Sequence, residues 1–197
     1  MSGEAVSALV LGTRNSHKVR EIARLLEPAG ILVEPLPPGI ELPPETGETF
    51  EANALPKART AAAATGRPAI ADDSGIEAEA LGGAPGVRAA RYAGPGAGDQ
   101  ENLGKLMREA PAGSRLRYVC ALAYVDPATG TEQVFFGYCC GSLASRPQGS
   151  GGFGYDPAFV PDEDSEKRTM AQLSDAEKDA ISHRGYAVRE LASWLRR

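Results

Sequence analysis

The residues best suited to chemistry in this chain are adjacent acids with cations a short distance away in sequence. Asp72 and Asp73 follow an apolar Ala69-Ile70-Ala71 run and precede Ser74-Gly75. That pattern predicts a strand stopping at the acids, with the pair at its mouth. There one carboxylate can hold a divalent cation while assisting an attacking water. Glu45, Glu48 and Glu51, with Glu41 just before them, form a second acidic stretch able to supply another metal ligand. Thr13-Arg-Asn-Ser-His-Lys18 joins the first apolar run to the first helical stretch. Helix-start N–H groups, hydroxyls and a lysine can surround a phosphate in such a turn, and the same residues serve equally well as a polar cap. No Gly-x-x-x-x-Gly-Lys-Ser/Thr run occurs, which excludes a standard P-loop.

Two further segments carry candidate groups. Gly149-Ser-Gly-Gly-Phe-Gly154 matches the dinucleotide fingerprint letter for letter, but Tyr155-Asp156-Pro157 follows it where that fingerprint needs a helix. A loop whose glycines allow close ligand approach fits better, with Phe153 or Tyr155 offering a stacking face to a base. Ser182-His183-Arg184, preceded by Lys178, brings cationic and hydrogen-bonding groups to the start of the last helical stretch.

These groups have to be positioned by a recognisable set of elements. Ala8–Leu11 reads as a strand, and Val19, Ile22, Leu25 and Leu26 recur at helical spacing. The proline-rich residues 28–47 leave room for only a short strand around Ile31–Val33. An alanine-rich helix is predicted from about Thr49 to Ala64, kinked by Pro56 at a cost of about 3 kcal/mol. Residues 82–98 are glycine-dense, and a helix follows over Gln100–Ala110. Arg117–Val125 and Gln133–Tyr138 read as long strands joined by a turn-rich connection, a hairpin. A loop over Ser145–Asp164 and a helix over Ser182–Leu195 complete the chain. The expected class is α/β with a mixed sheet, in a single domain covering residues 1–197, without internal repeats.

Composition narrows the function. A net charge of -5 argues against sequence-independent nucleic-acid binding, which needs an excess of lysine and arginine. The opening Met-Ser-Gly-Glu-Ala-Val lacks a basic leader, and Ala8–Leu11 is too short for a signal or a membrane span, so a cytoplasmic location is expected. Cys120, Cys139 and Cys140 lack C-x-x-C spacing and read as reduced core residues. Adjacent in a strand, Cys139 and Cys140 would point to opposite faces.

Taken in order, Thr13-x-Asn15-x-x-Lys18, Glu45-Thr-Gly47, Thr49-Phe50-x-x-Asn53, Ala71-Asp-Asp-Ser-Gly75, Leu81-Gly-Gly-Ala-Pro-Gly86, Ala90-Arg-Tyr92, Gly151-Gly-Phe-Gly-Tyr-Asp-Pro157 and Ser182-His-Arg184 resemble the inosine triphosphate pyrophosphatase family, from about Leu9 to Leu195. The resemblance implies a Mg2+-dependent homodimer that cleaves ITP, dITP and XTP to monophosphate and pyrophosphate. It implies an elongated mixed sheet flanked by helices in two lobes, with the active site in the cleft between them. Carried over by position, Asp73 is the general base and a metal ligand, with Glu45 and Asp72 as further candidate ligands. Thr13, Asn15, Lys18 and Ser74 would contact substrate, and Asn53 and Lys57 would line the phosphate side. Phe153, Gly154, Tyr155, Asp156, Lys178, His183 and Arg184 would form the nucleotide pocket. Two departures stand out: Pro56 lies within the family's helix, and Arg168 and Gln172 replace the lysine and glutamate of its K-T-x-x-E-L run. The related Maf-like enzymes lack the Ser-His-Arg and Phe-Gly-Tyr-Asp motifs.

Overall fold

The computed structural model describes residues 7–197, so the opening Met1–Val6, where no leader was expected, lies outside the described residues. Strand β1 (Ala8–Leu11) is apolar throughout because it pairs in parallel on both sides, with β2 (Leu32–Pro35) and with β3 (Ala69–Ala78). Helix α1 (Ser16–Leu26) makes the crossover between β1 and β2, and α2 (Phe50–Thr65) precedes β3. The two-residue β4 (Pro85–Gly86) runs antiparallel to β3. After α3 (Asp99–Glu109), β5 (Arg115–Asp126) and β6 (Thr131–Leu143) are sheet neighbours joined by a four-residue turn, the predicted hairpin. β7 (Phe159–Pro161) pairs antiparallel with β6, giving a mixed seven-stranded sheet of order β2-β1-β3-β5-β6-β7, with β4 beside β3. Helices α4 (Asp175–Ile181) and α5 (His183–Leu195) follow.

The chain forms two compact units. The first comprises the described part of Met1–Asp73 with Cys120–Gly137 and Arg184–Arg197. Its core gathers Leu9, Leu11, Ile22, Leu26, Ile70, Leu122 and Leu191. The second comprises Ser74–Val119 and Tyr138–His183, around Ile76, Leu106, Tyr118, Phe159 and Met170.

Two expectations need correction. The acids do not end their strand: β3 runs on through Asp72 and Asp73 to Ala78, and both acids are buried within it. The strand can continue because ionic and hydrogen-bonding partners meet the acids there, so solvent is not needed to hold their charge. Helix α2 is continuous through the interior Pro56. Thr49 Oγ1 accepts the Ala52 N–H at one end, Gly66 closes the other with a left-handed backbone, and buried alanines seat the helix. Finally, Cys120 and Cys139 are buried but Cys140 is exposed, because alternation along β6 turns it outward.

Candidate functional site

In the first unit the site residues gather around β3. Thr13 Oγ1 accepts the Asn15 N–H, and Asn15 Oδ1 caps α1 by accepting from His17 N and Lys18 N at 2.9 and 3.2 Å. The sequence thus fixes a turn that delivers Lys18 from the first turn of the helix. Lys18 Nζ lies 3.0 Å from Asp72 Oδ2, and Arg184 Nη2 donates to the same oxygen at 3.1 Å. Arg184 is 2% exposed and its Nη1 donates to Glu21 at 2.5 Å. Burial alone would raise the Asp72 carboxyl, but Lys18, Arg184 and Lys57 outweigh it and hold the group well below the usual carboxylate range. Burial likewise works against the charged Arg184, and Asp72 and Glu21 reverse it.

Asp73 has the opposite electrostatics, as expected of a neighbour whose side chain leaves the strand on the other face. Burial, and then the charge of Glu45, push its carboxyl up to about 6, against the counter-effect of Asn53, Lys57 and Lys18. Asn53 Nδ2 donates to Asp73 Oδ2 at 2.9 Å, and Asn53 Oδ1 accepts the Gly47 N–H at 2.7 Å. A β-carbon at Gly47 would come within 2.8 Å of that amide oxygen and of Ala52 Cβ, so the loop can close on Asn53 only with glycine there. Lys57, 6% exposed, donates to Glu45 Oε1 at 2.5 Å and to the Asp72 carbonyl at 2.8 Å. Glu41, Glu48 and Glu51 are exposed, whereas Glu45 is half-buried beside Lys57 and Asp73. Among the described residues no group of three or more His, Cys, Asp or Glu is gathered for a metal. Glu45 and Asp73 nonetheless form a pair of hard oxygen donors, and the charge of Glu45 raises the affinity of Asp73 for positive charge. Such a pair suits a cation that completes its shell with water and phosphate oxygens.

The second unit holds a different cluster. Buried Asp156 accepts from Lys178 Nζ at 2.6 Å, from Phe153 N at 2.9 Å and from the Tyr118 hydroxyl at 3.0 Å. Gly152 has φ +67° and a β-carbon there would strike Asp156 Oδ2, so this loop turn requires glycine. Gly154 N donates to Asp99 at 2.8 Å. The half-buried Phe153 ring has Lys178 Nζ 5.2 Å from its centroid. Tyr155, by contrast, is a core residue whose hydroxyl donates to Ala89 O at 2.7 Å. The glycine-rich run leads into a single 3-10 turn and β7, consistent with a loop and not with the dinucleotide fingerprint. His183 stacks on Tyr118 with centroids 4.5 Å apart and planes within 6°. Ser74 lies half-buried on β3, the next residue after Asp73.

Sequence reasoning passed over three residues that this geometry brings forward. Glu21 was detectable: it lies three residues after Lys18, beside the apolar stripe of α1, and an acid there needs a buried partner. Arg14 donates to the carbonyls of Leu36, Pro37 and Ile40, ordering the proline-rich segment, and no local pattern marks it. Tyr118 carried no signal beyond strand alternation.

Fold and site together define a mixed-sheet α/β protein with buried acids answered by lysines and an arginine. A model of the Ham1 family matches residues 9–194, and the chain belongs to that family. Proteins named dITP/XTP pyrophosphatase from Frankia alni and Escherichia coli O157:H7 are 47% and 48% identical to it, each alignment covering 95% of this chain and 96% and 98% of theirs. A solved HAM1 protein from Coxiella burnetii superposes with a TM-score of 0.84 at 38% identity, over 96% of this chain and 98% of that one. The Staphylococcus aureus Ham1 structure gives 0.81 at 36% identity, with the same coverage.

Proposed function

We propose that this protein hydrolyses the non-standard purine nucleoside triphosphates ITP, dITP and XTP to monophosphate and pyrophosphate, clearing them from the nucleotide pool. The observation that carries the reading is Asp73: a buried carboxyl raised to about 6, anchored by Asn53 and set beside Glu45 and cationic side chains. A proton acceptor works best when its affinity lies near the working pH, and burial and the Glu45 charge move this group in that direction. Relatives near 48% identity over nearly the whole chain carry the dITP/XTP pyrophosphatase name, which supports the substrate class. The match over residues 9–194 supports treating the chain as one functional domain.

In this reading Asp73 takes the proton of a water attacking the α-phosphorus, and Asn53 holds the carboxylate in line for it. Lys18 and Lys57 set positive charge against the negative charge that develops on the phosphates. Asp72 keeps Lys18 placed through their ion pair, and Thr13 and Asn15 hold the helix-start turn. Glu45 and Asp73 are the residues that would hold Mg2+, which when bound supplies Lewis-acid neutralisation of phosphate charge. Phe153 offers a stacking face and Lys178, His183 and Ser74 polar contacts for the nucleotide. By family resemblance we also assign a homodimer in the cytoplasm. Among the described residues no helix is long and apolar enough to cross a membrane.

Product analysis with Mg2+ and each of ITP, dITP, XTP, ATP, GTP and the pyrimidine triphosphates tests the activity. Monophosphate and pyrophosphate from the first three alone is the expected result. Release of orthophosphate, or equal action on ATP and GTP, overturns base-selective attack at the α-phosphorus. Sedimentation equilibrium checks the dimer.

A further inference from the structure

Tyr118 lies on β5 with its side chain nearly fully buried, outside the motifs that carry the site. Its hydroxyl donates to Asp156 Oδ1, the carboxylate that also accepts from Lys178 Nζ and from the Phe153 N–H. Its ring lies parallel to His183 at 4.5 Å, and Phe159 braces it from another side at 4.5 Å with a 46° tilt. Burial first, then the Asp156 charge, push the phenol well above its usual range, so it stays protonated and remains a donor.

We propose that Tyr118 is a positioning residue for the nucleotide. Its hydroxyl fixes Asp156, and through it Lys178 and the Phe153 loop, while its ring fixes the plane of His183. Strand β5 is a rigid support, whereas Phe153 sits in a loop with glycines at 149, 151, 152 and 154. A glycine-rich segment loses much backbone entropy on ordering, so a contact anchored on a strand lowers what substrate binding must supply. Asp156 is therefore the intermediary: it receives the strand's hydroxyl on one oxygen, and the loop amide and the lysine on the other.

The proposal rests on the nucleotide reading above, and the test separates the two. Tyr118→Phe keeps the ring against His183 and removes only the hydroxyl; Tyr118→Leu removes both. KM and kcat for XTP are measured alongside amide hydrogen exchange of residues 149–156. Tyr118→Phe is expected to raise KM about 10-fold at near-constant kcat, the cost of one hydrogen bond to a charged group. It should also speed exchange at Phe153 and lower the melting temperature modestly, because a buried carboxylate loses one of its donors. Tyr118→Leu should raise KM further and shift the His183 ring resonances, which Tyr118→Phe preserves. Unchanged KM in Tyr118→Phe, or kcat falling only with the folded fraction, overturns the role. If the wild type turns over no nucleotide, the functional reading fails, and exchange at Phe153 alone decides whether Tyr118 holds the loop. Unaltered exchange there also overturns it.

Discussion

At the scale of single residues, the adjacent acids Asp72 and Asp73 show how neighbours on a strand acquire unlike chemistry. Asp72 meets Lys18 and Arg184 and stays ionised, whereas Asp73 meets Asn53 and another carboxylate and is drawn toward neutrality. Asp73→Asn keeps the size and the Asn53 contact region but removes the proton acceptor. Turnover is expected to fall about 10²–10⁴-fold, the usual share of a general base. Substrate should still bind, as checked by single-turnover kinetics and calorimetric titration of XTP; unchanged turnover would remove Asp73 from the mechanism. Glu21 tests the other acid's surroundings. Glu21→Ala leaves Arg184 with one of its two carboxylate partners in a buried site, and losing one partner of such a network costs about 3 kcal/mol. Urea denaturation measures that loss, and a difference within 0.5 kcal/mol, on the order of an ordinary surface substitution, would show that Glu21 is dispensable.

The helical elements carry their own electrostatic signatures, and α4 is the clearest. Ser174 Oγ accepts the Glu177 N–H while Glu177 accepts the Ser174 N–H, a reciprocal cap. Arg168 reaches the same glutamate at 2.9 Å and Asp164 at 2.7 Å, so arginine at this departure from the family pattern braces the start of the helix that carries Lys178. Gln172, the other departure, still accepts the Thr169 N–H at 2.9 Å, a job that needs only a side-chain oxygen. Ser174, with help from Arg168, lowers the Glu177 carboxyl to about 2. A depressed carboxyl stabilises the fold above its unfolded value, 4.5, and that contribution is lost as pH falls toward 2. Glu177→Gln should therefore melt less steeply with acid than the wild type between those limits. Parallel acid limbs in thermal melts would count against the cap.

For the whole molecule, the metal offers the most direct test. If Glu45 and Asp73 hold Mg2+ in the folded protein, Mg2+ at about a hundred times its Kd should stabilise the protein by about 2.7 kcal/mol. The readout is the melting temperature with and without Mg2+, independent of turnover. Glu45→Gln should abolish most of the shift, and an undiminished shift in that variant would move the site elsewhere.

Much of the architecture was legible in the chain itself because it depends on local periodicity. The helical spacing of Val19, Ile22 and Leu26 gave α1, the Asp126–Gly130 turn gave the hairpin, and alternation separated Cys139 from Cys140. Ordered motifs also singled out Asp73, Lys18, Lys57 and the glycine-rich loop as candidates. Residue types alone left the glutamates and the two aspartates undifferentiated, with only the family resemblance favouring Glu45 and Asp73, and they treated Phe153 and Tyr155 as alternatives. The tertiary structure supplies the physical distinctions. It brought Glu45 alone to Lys57, placed Arg184 from residue 184 against Asp72 and Glu21, and buried Tyr155. The physical reason is range: periodicity and capping act within a few residues, whereas burial and charge depend on groups brought together from more than a hundred positions apart.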